Sequence, residues 1–195
     1  KKELKQQFIP FIKDELLNET SFKLVSKVNE AINALPGNAK IQVNPREINL
    51  FYLNENLRER IVCENEIYTV VNTDITWTKE ALLKEVDDYP ERFSPNVIMR
   101  PLYQEVILPN LCYIGGGGEL AYWMELKNVF AEAKVHMPVL QLRNSFLFIR
   151  AKQIQQWTAL GLIKEDLFKP VLDIEVAFVK KQSGELLSLE AELKS

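Results

Sequence analysis

The spacing of apolar side chains divides the chain into helix, meander, mixed segments and helix again. Leu4, Phe8, Ile12 and Leu16 recur every four residues, and Val25, Val28, Ile32 and Leu35 form a second stripe, so residues 1–35 read as helix in two pieces. Pro10 bends or delays the first piece, Ser21 is placed to cap the second, and PGN at 36–38 stops it. Ile41 to Val43 reads as a short strand, after which NPRE turns the chain. The period then drops to two. NLFYLNENLRERIV predicts two strands around Asn54 to Asn56, and NEIYTVV adds a third element. Such a meander is an edge or an insertion, not part of a parallel βαβ repeat. WTKEALLKEVDDY returns to helix, with Thr78 as its cap and Ala81, Leu82 and Val86 facing inward.

The segment RFSPNVIMRPLYQEVILP contains three prolines, which no single helix can cover. Pro101 suits the first turn of a helix through Leu102, Val106 and Ile107, with Arg100 at its mouth. NLCYIG then reads as a buried strand and GELAYWMELKNVF as a helix. Strand, glycine turn and helix make half of a Rossmann-type unit. MPVLQL and SFLFI supply another strand or two. From Ala151 the chain reads as helical to its end, interrupted near Gly161 and Pro170. Leu172, Val176, Val179, Leu186 and Leu193 alternate steps of four and three, with Ser183 and Glu190 at the two remaining core positions. That imperfect heptad marks either the start of a coiled-coil arm that packs on a partner or an ordinary surface helix. The fold class expected is α/β: a partial Rossmann-like core over 1–150, with a strand-rich connector near 41–75, and a helical arm over 151–195.

Composition narrows the functional classes. The 195 residues are 47% apolar, enough for a real core, and 24 basic against 27 acidic residues leave a net charge of -3. No concentrated basic face is visible, which argues against nucleic acid as the main partner. No apolar run reaches membrane-spanning length, and KKELKQQF has no apolar signal core, so a cytoplasmic location and no membrane partner are expected. Cys63 and Cys112 build no disulfide framework, and Cys112 in LCYIG reads as a small buried hydrophobe. His136, without partners at ligand spacing, gives no metal site.

The candidate chemistry lies in YIGGGGELAYW. Gly115 to Gly118 supply the first GxG of a dinucleotide fingerprint, but Leu120 takes the third glycine position and MPVLQL lacks the acidic partner. No GK[ST] follows, so the turn is not a P-loop either. What remains is a set of free N–H groups at a helix start, suited to a carboxylate or phosphate, or alternatively a structural turn. Glu119 offsets the helix dipole, and it repels an anion unless it points away or bonds an amine or hydroxyl. Arg100 is a bidentate clamp for a carboxylate if its helix and the glycine-turn helix open at one sheet edge. Tyr103, Gln104 and Tyr122 are weaker candidates, and Asn96 caps locally. A conventional NAD dehydrogenase is disfavoured by the broken fingerprint.

FSPNVIMRPLYQEVILPNLCYIGGGGELAYWMELKNVF, with REINLFYLNENLRERI and PERF before it, resembles the bacillithiol biosynthesis cysteine-adding enzyme family. The resemblance is strong from Ile41 to Leu142. The family's SPN-RPLYQ and GG-GE-AYW patterns fall on Ser94, Pro95, Asn96, Arg100, Pro101, Leu102, Tyr103, Gln104, Gly115, Gly116, Gly118, Glu119, Ala121, Tyr122 and Trp123, and many members carry Pro where this chain has Gly117. The resemblance implies a ligase that joins cysteine to glucosaminyl malate, a Rossmann-like core, and a homodimer made through a helical coiled coil. ATP is expected from the reaction type, although no nucleotide motif is visible, and the catalytic residues stay unassigned. Members are much longer, so the chain is expected to be a C-terminal part of the core plus the start of the arm, inactive by itself. A non-catalytic ligand-binding or dimerisation domain is the alternative.

Overall fold

The computed structural model describes residues 2–36 and 40–183. The chain divides into two compact units, residues 1–144 and 145–195. In the first unit the N-terminal helical region forms three helices: α1 (Lys2–Gln6), α2 (Ile9–Asn18) and α3 (Thr20–Asn33). Pro10 sits in the first turn of α2, where its missing N–H costs nothing, and so sets the break after α1. Glu19, in the left-handed region at φ 52°, joins α2 to α3. Ser21 is therefore not the cap. It lies inside the first turn of α3, and its N–H and hydroxyl both donate to the buried carboxylate of Glu15. Phe8, Ile12, Leu16 and Val25 reach the core as expected, but Leu35 is exposed, and Asn29 points inward to donate to the Val43 carbonyl. Of the expected stop PGN, Gly37 and Asn38 fall outside the described residues.

Ile41 to Val43 form no strand. The Gln42 and Val43 N–H groups donate instead to the buried Glu125 carboxylate, at 2.8 and 3.3 Å. A side chain takes the place of a neighbouring strand.

The period-two region forms β1 (Leu50–Asn54), β2 (Leu57–Glu64), β3 (Ile67–Val70) and β4 (Thr76–Trp77), followed by α4 (Lys79–Asp88), β5 (Phe93–Pro95) and α5 (Met99–Ile107). The five strands make one antiparallel sheet in the order β4-β3-β2-β1-β5. Asn65 and Glu66, both at positive φ, form the two-residue turn between β2 and β3, the backbone that suits a tight hairpin's twist. Leu50, Tyr52, Ile61, Tyr68, Val70 and Phe93 are buried between the sheet and the helices. The Thr78 hydroxyl caps α4 by accepting the Ala81 N–H, and Leu82 and Val86 face inward, while Ala81 is exposed.

The chain then forms β6 (Cys112–Gly115), α6 (Gly117–Glu125), α7 (Lys127–Glu132) and β7 (Val139–Leu142). β6 and β7 pair in parallel, with Cys112 opposite Val139 and Gly115 opposite Leu142. Trp123 of α6 is buried and stacks on Tyr113 at 4.2 Å between ring centres. The expectation of a buried β6 fails: Cys112 and Ile114 are exposed, because among the described residues β6 pairs with β7 alone and helices cover one face only. SFLFI forms no strand. The fold is α/β with a Rossmann-like βαβ unit beside the antiparallel meander.

The second unit contains α8 (Ala151–Ala159), a short 3-10 turn at Lys164–Phe168 and α9 (Val171–Ser183). Gly161, at φ 73°, ends the first helical stretch. Leu172 and Val176 lie exposed on α9, while Leu186, Glu190 and Leu193 of the expected heptad fall outside the described residues. Among the described residues no helix is long and apolar enough to cross a membrane.

Candidate functional site

Gly115 ends β6 and Gly116 is the residue before the first turn of α6, with φ -72° and ψ 166°. The N–H groups of this turn point out of a helix start, where the backbone dipoles favour negative charge. The glycines differ in what surrounds them. A Cβ on Gly115 would sit 2.8 Å from the Tyr113 ring, whereas one on Gly117 would meet nothing within 4 Å. A Cβ on Gly118 would have only the Gln42 side-chain oxygen nearby, at 3.9 Å. The turn is thus closed beneath Gly115 and open above Gly117 and Gly118.

Glu119 does the structural work expected of it. One carboxylate oxygen accepts the Gly116 N–H at 2.7 Å and the other accepts the Tyr113 hydroxyl at 3.2 Å. The Gly116 N–H holds its carboxyl below the usual carboxylate range, helped by the Tyr113 hydroxyl and by the charge of Arg143. Burial, with Glu119 close by, pushes the Tyr113 hydroxyl up.

Arg143 is the residue that sequence reasoning missed. It follows β7, and its N–H donates to the Gly115 carbonyl at 2.9 Å, which extends the parallel ladder by one step. Its guanidinium lies over the turn, with Nη2 3.2 Å from the position a Gly116 Cβ would take. The rule that ligands gather at the carboxyl ends of parallel strands would have pointed to the residue after MPVLQL.

The other candidates, Tyr122 of α6 aside, belong to elements that do not carry the turn. α5 follows β5 of the antiparallel sheet and α6 follows β6 of the parallel pair, so Arg100 and the glycines do not share a sheet edge. Arg100 is exposed in the first turn of α5. Asn96 caps that helix, accepting the Ile98 and Met99 N–H groups at 2.9 and 3.3 Å and donating to Asn49. Tyr103 packs edge-on against Phe8, with the Lys5 ammonium 4.4 Å from its ring centre. Gln104 donates to Glu105, a buried carboxylate that also holds Asn110 ahead of β6. Tyr122 packs against the core.

The candidate site is therefore a glycine turn, a cation at the end of the next strand and a carboxylate beside them. Residues 1–144 match the sequence profile of a family described as bacillithiol biosynthesis BshC, N-terminal Rossmann-like domain. The chain belongs to this family. The BshC match covers the N-terminal helices as well as the expected block, and it corrects the expected placing, since the domain matched is the N-terminal one. A BshC relative from Flavobacterium johnsoniae, named "Putative cysteine ligase BshC", is 52% identical over 182 residues, 93% of this chain and 34% of that protein. Same-named proteins from Christiangramia forsetii and Flavobacterium psychrophilum are 53% and 57% identical, over 86% and 85% of this chain and 31% and 30% of their own length. The chain spans about a third of the length of these BshC relatives.

The position of Gly117 also suits the proline that the resemblance implies there in many members. Gly117 is the first residue of α6, where proline's fixed φ fits and its missing N–H has no helical partner to lose. The extended conformation of Gly116 is the one a residue before proline prefers. Gly117→Pro is expected to stabilise the protein by roughly 0.4–1 kcal/mol through the unfolded chain. Thermal melting checks this, and an unchanged or lower midpoint would contradict it.

Proposed function

We propose that this chain is part of a ligase that adds cysteine to glucosaminyl malate in bacillithiol biosynthesis. The observation that carries the reading is the family match over residues 1–144, which includes a turn chemically suited to that substrate. Glucosaminyl malate carries carboxylates and an amine. The Gly118 N–H and the Arg143 guanidinium suit a carboxylate. Glu119, held ionised, suits an amine or hydroxyl. Amide formation joins the cysteine carboxyl to the sugar amine and needs an activated acyl group, for which ATP is the expected source. Arg100 at the mouth of α5 is kept as a second carboxylate holder, with Tyr103, Gln104, Tyr122 and Asn96 in supporting positions. The enzyme acts in the cytoplasm as a homodimer held by the helical arm that begins at Ala151. The exposed Leu172 and Val176 on α9 support that arm as a packing surface. This chain alone is inactive.

The test uses the full-length protein with cysteine and glucosaminyl malate, with and without ATP, and reads the adduct by mass spectrometry. Arg143→Ala is expected to lower kcat/KM by roughly 10–100-fold, the worth of a hydrogen bond to a charged group. The fold is spared because the Arg143 N–H, not its side chain, holds the strand. Arg100→Ala is expected to cost less. Unchanged kinetics in Arg143→Ala would remove the glycine turn from the substrate site. A non-catalytic ligand-binding or dimerisation domain is the second reading, favoured by Glu119 already occupying the Gly116 N–H. No adduct under any condition would give it the greater weight.

A further inference from the structure

A carboxylate inside a protein is normally paired with a cation, because neutral donors offset only part of what it loses on leaving water. Glu15 departs from that rule. It is 1% exposed, and every donor to its carboxylate is neutral: the Ser21 N–H and hydroxyl, and the Asn49 backbone and side-chain N–H groups. Among the described residues no lysine, arginine or histidine forms an ion pair with it. Three of the four bonds fall on Oε1 and one on Oε2, so Oε2 can accept another.

Glu15 and Ser21 also line a cavity of about 300 Å³, bounded by α2, the start of α3, α5 and the end of α7. That volume is at the small end of the range for ligand pockets. Phe11, Met99, Leu102 and Val129 form its apolar wall. Asp14 and Glu132 bring two more carboxylates, and Lys134 is the only cation in the lining. Asp14 bonds the neutral Asn18 amide, while Glu132 and Lys134 are exposed and enter no ion pair among the described residues.

We propose that this cavity binds a small organic ammonium ion. The charged head supplies the counter-charge that Glu15 lacks, and the apolar body lies against Phe11, Met99, Leu102 and Val129. An inorganic cation would answer the charge but leave the apolar wall uncovered. A ligand carrying a carboxylate would meet three carboxylates against one ammonium. Cysteine and glucosaminyl malate both carry carboxylates, so this site is separate from the ligase reading and takes neither of its substrates.

Hexylammonium, 1-hexanol, hexanoate and ammonium chloride test the two halves of the ligand separately, by ligand-observed NMR titration of the full-length protein. Hexylammonium should bind saturably, and hexanol at least about tenfold more weakly, the worth of a hydrogen bond to a charged group. Hexanoate and ammonium chloride should show no saturable binding. Failure of hexylammonium to bind, or equal binding by any of the other three, would overturn the proposal. Ala133→Phe places a ring in the cavity and should abolish hexylammonium binding. Glu132→Lys is the safer variant for folding, because Glu132 is exposed in the last turn of α7, where a cation suits the helix dipole. It should weaken binding roughly two- to fivefold, the worth of an exposed charge pair. Hexylammonium binding unchanged in Glu132→Lys would place the ligand elsewhere and overturn the proposal. None of these experiments measures turnover, so their outcome is independent of the ligase reading.

Discussion

Replacing Glu15 with alanine is expected to lower the unfolding free energy by roughly 2–5 kcal/mol, since it strands several buried donors. Glu15 is 1% exposed, and its carboxylate accepts the Ser21 N–H and hydroxyl and the Asn49 backbone and side-chain N–H groups, at 2.6 to 3.0 Å. The Asn49 amide has other acceptors, in Ser21 and the Arg46 carbonyl, and the Ser21 hydroxyl can rotate. The two backbone N–H groups have no such recourse. Ser21 lies in the first turn of α3, where an N–H has no helical partner. Asn49 is fully buried. Glu15→Gln should cost less, because one oxygen still serves the three donors on its side and only the Ser21 N–H then meets an amide N–H. Urea unfolding followed by tryptophan fluorescence checks both variants. Equal losses for Ala and Gln would mean that the hydrogen bonds are not the source.

Gly115→Ala should destabilise the protein by about 1–3 kcal/mol, the usual cost of overpacking a closed site. The new methyl would lie 2.8 Å from Tyr113 Cε1 and 3.3 Å from the Glu119 Cβ and a Leu120 methyl. The tyrosine ring cannot retreat freely. It is stacked on Trp123, which is 1% exposed and itself stacked on Phe130. The same substitution at Gly117 meets nothing and should be nearly neutral. In a Tyr113→Ala background the Gly115 penalty should shrink, giving a measurable coupling in a double-mutant cycle. Simple additivity would show that the ring is not the obstacle.

The two classes of glycine explain part of what the sequence could reveal. Strand, turn and helix around YIGGGG were legible because they are local. So was the meander, whose alternation survives in the register from Asn54 opposite Leu57 to Ile61 opposite Val70. Thr78 was legible as a cap for the same reason. Glu15 and Glu125 were not. On a helix each looks like a solvent-facing acid, and its burial depends on donors 34 residues away at Asn49 and 83 away at Gln42. Ser21 was misread as a cap because the competing acceptor, Glu15, belongs to the preceding helix. The strand expected at Ile41 to Val43 was lost to Glu125 in the same manner. Arg143 joins the candidate site only once β7 lies beside β6. Cys112 and Ile114 carried the pattern of a buried strand, yet both are exposed.

Arg143 also differs from a charge on a loop in how it can vary. Its N–H is tied to the Gly115 carbonyl, so its place over the turn is counted in strand residues. A strand shows opposite faces at successive positions. Lengthening or shortening β7 by one residue would not shift the guanidinium slightly but turn it to the far side of the sheet. The cation is set in whole steps, either present over the turn or absent from it. Graded adjustment has to come from the neighbours that are free to move.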